Sequence, residues 1–448
     1  MAGYSSVFNI TDFGAVPDGK ANAAPAFQAA VAACRKMGGG EIYVPAGCFL
    51  TGPVELHSNM TLYLDAGATL RFSDAPGDYP VVQSRWEGVA RQVYMSCVYA
   101  EDAENIAVEG RGTLDGCGER WWRAHRAGEL AYPRPKLVSF HGCRRVRIAD
   151  IRMVRSPSWT VNPVLCEDVT VDGVTIQNPA DSPNTDGIDP DSCVNVHISN
   201  CHIDVGDDCI AVKSGTEGTP QRMPTRNVAI DNCTMVHGHG GVVLGSEMSG
   251  GISHVVISNC VFEGTDRGIR LKSRRGRGGV IEDVRVSNIV MDGVLCPFIA
   301  NLYYFCGPGG KDKVVWDKHA YPVDDTTPAF RHLHFSGITA RNVRAAAGFF
   351  YGLAEMPVED VTFCDVSVRM QPDAEPGMPD MMANLQPMKQ RGFFCANVKG
   401  FSFHRVTVSG HEGPAFHVEH GEAVEFDDCR ARNAGAPAPL TETVGDPA

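Results

Sequence analysis

The 448-residue sequence lacks any run of about 18 apolar residues, which a membrane-spanning helix requires, so no such helix is expected. Its opening, MAGYSSVFNITDFGA, has neither the basic segment nor the apolar core of a secretory leader. The sixteen cysteines include no pair at CxxC spacing. Free thiols without a leader predict a cytoplasmic protein, or a secreted one whose leader has been removed.

Basic residues are also scarce, because 40 lysines and arginines face 53 acids and the formal net charge is −13. This balance argues against nucleic acids and anionic membranes as partners, since both attract a basic protein. An anionic substrate would need a local basic patch. The run SRRGRGG, residues 273–279, is predicted to supply one.

Helical periodicity is scarce beyond the first 40 residues, and a strand-like phrase recurs in its place. The phrase V-x-[IVF] alternates apolar and polar residues and is followed by Asn, Asp or Gly and another short strand. Its copies lie 23 to 32 residues apart, at Val146, Val169, Val196, Val228, Val255 and Val284. Such a repeat is typical of one coil of a parallel β-helix. The predicted fold class is all-β, a single-stranded parallel β-helix.

One β-helix domain is predicted over residues 1–430. Residues 20–40 have apolar side chains at helical spacing and predict a helix that caps the N-terminal end. Residues 84–135 break the repeat and predict a loop insert bordering a groove. The Ala- and Pro-rich residues 431–448 predict a disordered tail. Four cysteines share one phrase position and predict a buried stack rather than a metal site or disulfides: Cys201, Cys233, Cys260 and Cys429.

The stretch NTDGIDPDSC, residues 184–193, places three acids within six positions, and Asp207 and Asp208 follow. Equivalent positions on neighbouring coils lie about 4.8 Å apart, so residues one period apart can be neighbours. One coil separates each member of a polar series from the next, and this series predicts a ladder up one face: Asp186, Asp207 with Asp208, His239, and Arg270 with Lys272.

This ladder suits glycoside cleavage, because crowded carboxylates do not all ionise and one keeps its proton. A nearby histidine can tune that acid, and Arg270 and Lys272 can hold an anionic group of the substrate. For Asp189 and Asp191 a structural place in the turn is favoured. A calcium loop over residues 186–191 is the alternative, although no D-x-D-x-D-G frame with a terminal Glu follows.

Four segments in order, NTDGID, GDDCIAVKSG, GHGGVVLGS and RGIRLKS, resemble the signature segments of the polygalacturonases, glycoside hydrolase family 28. The opening DFGAVPDGKANAAPAFQAAV is similar to the N-terminal region of pectin-active β-helix proteins. The likeness covers about residues 8–290. It implies a right-handed parallel β-helix that hydrolyses α-1,4-galacturonosyl linkages with inversion and needs no cofactor or metal.

The resemblance also implies catalytic roles. Asp207 would protonate the leaving oxygen, and Asp186 and Asp208 would hold and activate the attacking water. His239 would support the acid. Inverting enzymes usually keep their carboxyl groups about 6.5–9.5 Å apart, whereas neighbouring coils offer about 5 Å, so the spacing alone does not predict inversion.

Substrate-binding roles follow from the same resemblance. Arg270 and Lys272 would bind the sugar carboxylate, and Asn184 would contact substrate beside the catalytic centre. Tyr304 would be a further contact, and it is preferred to Tyr303 because it lies 32 residues, one coil, after Lys272.

The longer segment GSEMSGG, the SRRGRGG run and the 84–135 insert resemble the bacterial, exo-acting branch of the family. An insert that closes one end of a groove would turn it into a pocket, so trimming of short oligogalacturonides from an end is expected. Three alternatives stay open: a hydrolase of another pectic linkage (rhamnogalacturonan or decorated galacturonan), a calcium-dependent pectate lyase, and a non-catalytic carbohydrate-binding β-helix. The oligomeric state is not predicted.

Overall fold

The computed structural model describes residues 6–432 and 440–444, which fall into two compact units, Met1–Asp207 and Asp208–Ala448. The first unit contains helices α1 (Ala24–Lys36) and α2 (Glu119–Ala127) and short 3-10 helices at Ile10–Phe13 and Pro76–Asp78. Its strands are β1 (Val7–Asn9), β2 (Asp18–Asn22), β3 (Gly40–Val44), β4 (Gly47–Thr51), β5 (Val54–Glu55), β6 (Met60–Leu64), β7 (Ala68–Phe72), β8 (Val81–Trp86), β9 (Val89–Tyr94), β10 (Val98–Glu101), β11 (Glu104–Gly110), β12 (Thr113–Asp115), β13 (Val138–His141), β14 (Arg144–Ala149), β15 (Arg152–Val154), β16 (Val161–Val164), β17 (Glu167–Asp172), β18 (Thr175–Gln177), β19 (Val194–Ser199) and β20 (His202–Val205).

Three parallel sheets build the first unit, and each turn of the chain adds strands to them. One sheet runs β1, β3, β6, β11, β14, β17, β19. A second runs β2, β4, β7, β12, β15, β18, β20. A third runs β5, β10, β13, β16. Since strands adjacent in space are one coil apart in sequence, this unit is a parallel β-helix.

The core of the first unit follows from the strict alternation of its strands. Strands such as MTLYL and ATLRF alternate buried and part-exposed positions, as a strand with one face inward requires. The inward residues of the first sheet stand directly in register and are fully buried: Ile42, Leu62, Val108, Ile148, Val171 and Ile198. Each coil therefore buries its apolar side chains on the coils before and after it.

Helix α1 lies where the sequence predicts a capping helix. Its buried face includes Ala26, Phe27, Ala30 and Val31, and it packs against β1 and β3 at the start of the first sheet. Cys34 completes that face. The apolar end of the first coil is thereby covered.

The region 84–135 contains more regular structure than the loop insert expected there. It begins with the antiparallel hairpin β8–β9 and ends with α2. Between them, β10, β11 and β12 form one regular coil, built from the phrase ENIAVEG. The repeat thus starts before Val146, and only the parts on either side of residues 98–115 leave the coil pattern.

The second unit contains α3 (Lys313–Trp316) and sixteen strands within its described residues. They are β21 (Asp208–Val212), β22 (Thr225–Asp231), β23 (Thr234–His237), β24 (Gly240–Gly245), β25 (Ile252–Ser258), β26 (Val261–Glu263), β27 (Arg267–Lys272), β28 (Val280–Asp292), β29 (Cys296–Asn301), β30 (Ala329–Val343), β31 (Ala346–Tyr351), β32 (Val358–Met370), β33 (Arg391–Ser409), β34 (Glu412–Asp427), β35 (Arg430–Arg432) and β36 (Thr441–Val444).

The strands of the second unit also pair in parallel. One sheet runs β22, β25, β28, β30, β32, β33, β34. Another runs β21, β24, β27, β29, β31, β33, β34, β36. The long strands β33 and β34 belong to both sheets. A ladder of stacked phenylalanines fills the late coils, with ring centroids 4.7, 5.2 and 5.3 Å apart along Phe335, Phe363, Phe403 and Phe426.

The Asn that follows the repeated phrase turns the chain, between two strands at Asn232 and Asn259 and within β28 at Asn288. Asn232, Asn259 and Asn288 have φ near 55°, a left-handed conformation that Asn tolerates better than most residues. The side chains stack as well, since Asn288 Nδ2 donates to Asn259 Oδ1 at 2.7 Å. The next residue, Cys233 or Cys260, is buried, and all sixteen cysteines are free thiols.

Two further expectations concern the termini and the membrane. Of the predicted disordered tail 431–448, residues 433–439 and 445–448 lie outside the described residues, and Thr441–Val444 forms a strand that pairs with β34. Within the described ranges, none of the helices combines the length and hydropathy needed to cross a bilayer.

Candidate active site

The stretch NTDGIDPDSC contains the first three acids of the candidate site. It lies beside β16, the last strand of the third sheet of the first unit. Ile188 and Asp191 form parallel bridges with Val161 and Val164 of β16. The Thr160 amide donates to the carbonyl of Asp186 at 2.8 Å. Residues 185–193 are buried, so this acidic text is not a solvated surface loop.

Asp186 and Asp207 form a close carboxylate pair within the first unit. An oxygen of one lies within 4.8 Å of an oxygen of the other. Asp186 is 4% exposed, whereas Asp207, which ends the unit, is half-buried and reachable. Two carboxyl groups this close are an arrangement used in acid–base chemistry, and the same oxygens suit a hard cation. The acidic pair alone does not distinguish a metal site from a catalytic one.

Arg134 is a site residue that the sequence analysis missed. It is 1% exposed, and its Nη1 donates to the carbonyls of Pro157 at 2.9 Å and Pro183 at 2.7 Å. Its Nη2 donates to Asn184 Oδ1 at 2.7 Å. Burial lowers the pKa of Arg134 to about 10, opposed by the charge of Asp186. The arginine thus fixes the segment that carries Asn184 and Asp186; its one sequence signal is a basic residue between two prolines in YPRPK.

Asp191 has the structural surroundings favoured for it, and the backbone of Asp189 is held in the same stretch. Asp191 Oδ1 accepts from Arg85 Nη1 at 2.9 Å and from the Ser192 hydroxyl at 3.1 Å. The backbone carbonyl of Asp189 accepts from Asn162 Nδ2 at 2.6 Å. Arg85 lies on β8, so the hairpin is tied to this stretch by a buried ion pair.

Asp208, the first residue of the second unit, lies in a buried cluster with two cations. Its Oδ2 accepts from Lys272 Nζ at 2.7 Å, and its Oδ1 lies 3.7 Å from Arg270 Nη1. Burial acts to raise the pKa of Asp208, but the charges of Lys272, Arg270 and Lys213 outweigh it and hold the pKa below its ordinary value. Asp208 therefore stays ionised at neutral pH.

The register of β21, β24 and β27 explains how Asp208 and Arg270 meet. Asp208 pairs with Gly240, whereas Arg270 pairs with Val243, so the ladder is not the straight row that spacing predicts. A Cβ on Gly240 would clash with the Val243 side chain and lie 3.2 Å from Asp208 Oδ1 and 3.8 Å from Arg270 Cδ. Glycine at 240 therefore leaves room for the Val243 side chain and the Asp208 carboxylate. His239 lies in the turn before it and is exposed.

Tyr304 lies beside both cations of this cluster. Its ring centroid is 5.1 Å from the Arg270 guanidinium carbon and 5.2 Å from Lys272 Nζ. Burial raises the pKa of Tyr304, opposed by these two charges. Tyr303, by contrast, is fully buried against Arg275 and Lys318. The structure thus places Tyr304, rather than its neighbour, with Arg270 and Lys272.

Asp380 is a second site residue that the sequence analysis missed. It is fully buried, and its carboxylate accepts from Arg270 Nε at 2.9 Å and from Asn301 Nδ2 at 2.7 Å. Burial acts to raise the pKa of Asp380, and the charges of Arg270 and Arg267 outweigh it. No repeat spacing leads to this residue, because it comes from the irregular segment 371–390, 110 residues after Arg270.

The SRRGRGG run, predicted to supply a local basic patch, is buried and paired with acids. Arg274, Arg275 and Arg277 are each 4% exposed. Arg274 and Arg277 bind the two oxygens of Glu217, and Arg275 binds Glu355. Arg275 also donates to the carbonyls of Val314, Asp317 and His319. These arginines fasten the loop around α3 and are neutralised by nearby acids.

Comparison with known proteins adds independent findings. The family model of glycosyl hydrolases family 28 matches residues 34–374. A probable polygalacturonase from Vitis vinifera is 35% identical over 379 residues, 82% of this chain and 75% of the relative. An endo-polygalacturonase from Pectobacterium carotovorum is 31% identical over 274 residues, 57% of this chain and 65% of the relative.

A solved structure of similar fold is the hyperthermoactive exopolygalacturonase from Thermotoga maritima. It superposes with a TM-score of 0.72 at 31% identity and covers 82% of this chain and 87% of that one. The right-handed parallel β-helix predicted from the sequence is confirmed.

The predicted cytoplasmic location is wrong. The relatives are plant and bacterial polygalacturonases, whose substrate pectin is extracellular, and they point to an extracellular site of action. The prediction treated unpaired cysteines as evidence of a reducing compartment. Buried thiols do not need one: burial raises the pKa of Cys97, Cys296 and Cys395, which keeps these sulfurs protonated and away from oxidants.

The family assignment rests on a match over about three quarters of the chain, a relative above 30% identity and a shared fold. The four signature segments recognised in the sequence all fall within the matched residues 34–374. The chain is therefore a glycoside hydrolase and belongs to glycosyl hydrolases family 28.

Proposed function

We propose that the protein hydrolyses α-1,4-galacturonosyl linkages of pectic oligosaccharides, with inversion, and that it acts from an end of short oligogalacturonides. The observation that carries this proposal is the unequal surroundings of two adjacent acids. Asp208 is held ionised by Lys272, whereas the reachable Asp207 lies within 4.8 Å of another carboxylate, Asp186. Glycoside hydrolysis needs one carboxyl group that gives a proton and one that stays charged.

In the proposed mechanism, Asp207 protonates the glycosidic oxygen as its bond to the anomeric carbon breaks. Asp186 and Asp208 hold a water molecule and accept its proton while its oxygen bonds to that carbon. The charges near Asp208 stabilise it as the ionised base. His239 supports the acid, and its exposed place in the turn gives it access to solvent and to sugar.

The uronic acid group of the substrate is assigned to Arg270 and Lys272. Lys272 Nζ has three N–H donors, of which Asp208 uses one, and two Arg270 nitrogens face Asp380. Charge-assisted bonds from the remaining donors favour a carboxylate over a neutral sugar. Tyr304 and Asn184 supply further contacts, and Asn184 is oriented by Arg134.

Action from a chain end is supported by the Thermotoga maritima exopolygalacturonase, which resembles this chain over most of its length. Inversion is supported by the family resemblance alone. The oxygen atoms of Asp186 and Asp207 lie closer than the roughly 6.5–9.5 Å usual for inverting enzymes, so the stereochemistry needs a direct measurement.

A product profile on polygalacturonate and on di- and trigalacturonate tests the activity and its mode. The expected result is monogalacturonate from the start of the reaction, released as the β-anomer in proton NMR, at a rate that a chelator does not change. Random fragments would contradict end action, and an initial α-anomer would contradict inversion. An unsaturated, ultraviolet-absorbing product that disappears with chelator would indicate a lyase and overturn the proposed function.

A further inference from the structure

The segment Met378–Met382 lies across the outward side chains of β27 and β29, and it is held at several points. Arg267 donates through Nε to the carbonyl of Pro379 and through Nη2 to that of Met378, each at 3.0 Å. At its other end, Tyr304 forms a bridge with Met382, and its hydroxyl lies 3.3 Å from Met381 Sδ. The segment is therefore held in a fixed position against β27 and the residues that follow β29.

Asp380 occupies the middle of this segment, and both of its oxygens are engaged. Oδ1 accepts from Nε and Nη2 of Arg270, and Oδ2 accepts from Asn301 Nδ2 at 2.7 Å. The amide of Asn301 is itself oriented, because its Oδ1 accepts from the Tyr303 backbone N–H at 2.8 Å. The carboxylate cannot rotate without breaking one of these bonds, so it fixes the plane of the guanidinium.

Two carboxylates thus compete for one arginine. Asp380 binds the Nε side of Arg270, while Asp208 lies 3.7 Å from its Nη1. All three side chains are at most 2% exposed, so water does not screen the attraction of either carboxylate for the arginine. If Asp380 lost its charge, the guanidinium would turn towards Asp208, the remaining carboxylate of the cluster.

We infer that Asp380 is a positioning residue that holds Arg270 in the orientation for a uronate carboxylate and keeps it from closing on Asp208. The substrate part of this inference rests on the proposed function. A simple charge effect predicts the reverse behaviour. Removing one negative charge from the cluster would strengthen binding of an anionic sugar, whereas loss of positioning weakens it.

The test compares wild type with Asp380→Asn, which keeps the shape and removes the charge. With trigalacturonate, positioning predicts a higher KM and a kcat/KM lower by about 100-fold, the scale for a reactive group misplaced by about 1 Å. An unchanged or lower KM would overturn the inference. Asn301→Leu keeps every charge but releases Oδ2 of Asp380; it should raise KM in the same direction, and an unchanged KM would count against positioning even if Asp380→Asn did not fold.

A matched control is Glu355→Gln, which breaks another buried arginine–carboxylate pair of the second unit, that with Arg275. It should lower thermal stability as Asp380→Asn does and leave KM within about twofold, since pairs remote from substrate act on stability alone. An equal rise in KM would show a general effect of instability and overturn the inference.

A double-mutant cycle measured without substrate tests this inference separately from the proposed function. Urea unfolding of Asp380→Asn, Arg270→Gln and the double variant should give non-additive losses of stability, because the two side chains are direct partners. Additive losses would overturn the pairing. If wild type failed to hydrolyse oligogalacturonides, the proposed function would fall, and this cycle would still decide whether Asp380 controls Arg270.

Discussion

Lys272 Nζ donates to Asp208 Oδ2 at 2.7 Å, and both side chains are buried. Removing one partner of a buried ion pair lowers the free energy of unfolding strongly, because the remaining charge stays buried without a counter-charge. The pair also decides which acid can act as a base. Its neighbour Asp207, half-buried and one residue earlier, is left as the candidate proton donor.

Replacing Asp207 with Asn should abolish turnover and leave binding largely intact. The amide keeps the shape of the side chain but cannot give a proton to the leaving oxygen, so kcat should fall by about 10²–10⁴-fold, the usual contribution of a general acid. Initial rates and calorimetric titration with trigalacturonate measure the two effects. Asp74→Asn, an exposed acid in the same unit, is the control and should keep wild-type kcat. Equal losses in the two variants would exclude a special role for Asp207.

Lys272→Met should destabilise the protein in a pH-dependent way. The pKa of Asp208 is held below its ordinary value, so its stabilising charge is present above about pH 4 and lost as pH falls through the folded pKa. Without Lys272, the loss at pH 7 should reach about 3–5 kcal/mol and shrink near pH 4, where the variant's Asp208 takes up a proton.

Urea unfolding at both pH values measures this difference, and the acid limb of the pH–rate profile should move to higher pH in Lys272→Met. Lys313→Met removes an exposed partner of Asp317 and serves as the control. A pH-independent loss of stability in Lys272→Met would argue that packing of the lysine stem, not its charge, is what matters.

Arg134→Lys should weaken the segment that carries Asn184 and Asp186. A lysine cannot reach Pro157, Pro183 and Asn184 together, so at least one buried acceptor loses its donor, at a cost of about 1–3 kcal/mol. Thermal unfolding and kcat/KM on trigalacturonate should both fall. Arg144→Lys, on an exposed strand position, should change neither. Wild-type kinetics in Arg134→Lys would mean that the segment is positioned by its backbone bridges alone.

The strand β36 should detach at alkaline pH. His417 donates to Glu442 of β36 and to Glu419, each at 2.8 Å. Burial acts to lower the pKa of His417, but these carboxylates outweigh it and raise the pKa above its ordinary value. The stabilisation is therefore complete below about pH 6.5 and is lost as pH rises through the folded pKa.

Hydrogen exchange of residues 441–444, corrected for intrinsic rates, should accelerate between pH 6 and 9 in wild type. In His417→Gln it should be fast at every pH, while His404→Gln, at a half-buried histidine of the same unit that has no contact with β36, should behave as wild type. Exchange independent of pH in wild type would refute the proposed ion pairs.

The repeat in the sequence predicts the β-helix coils, but it does not predict contacts between side chains from segments outside the repeat. Alternation and a period of one coil suffice for the β-helix, because the register of Val146, Val169 and Val196 is that of their aligned phrases. The same period brings Asp208 near Arg270, but Arg270 lies three residues beyond the row through Asp208 and Gly240, since spacing counts residues and not the shape of a turn.

Arg134 and Asp380 have no repeat partner, and the only local sequence signal is the pair of prolines that flank Arg134. Each comes from a segment outside the coil pattern and reaches the site through tertiary packing. The buried state of Arg274, Arg275 and Arg277 is hidden for the same reason, because their partners Glu217 and Glu355 are distant in sequence. A run of charged residues in a sequence therefore does not by itself indicate a charged surface, because distant residues of opposite charge can bury and neutralise it.

The connection between Met370 and Arg391 leaves the coil after β32 and returns at the start of β33, which pairs in parallel with β31 and then with β32. The two ends are held by the sheet, whatever lies between them. Twenty residues are inserted there now, and a shorter or longer connection would close the same coil. The carboxylate that orients Arg270 is thus supplied by a connection whose length the strands do not set, so this contact can change without altering a single strand.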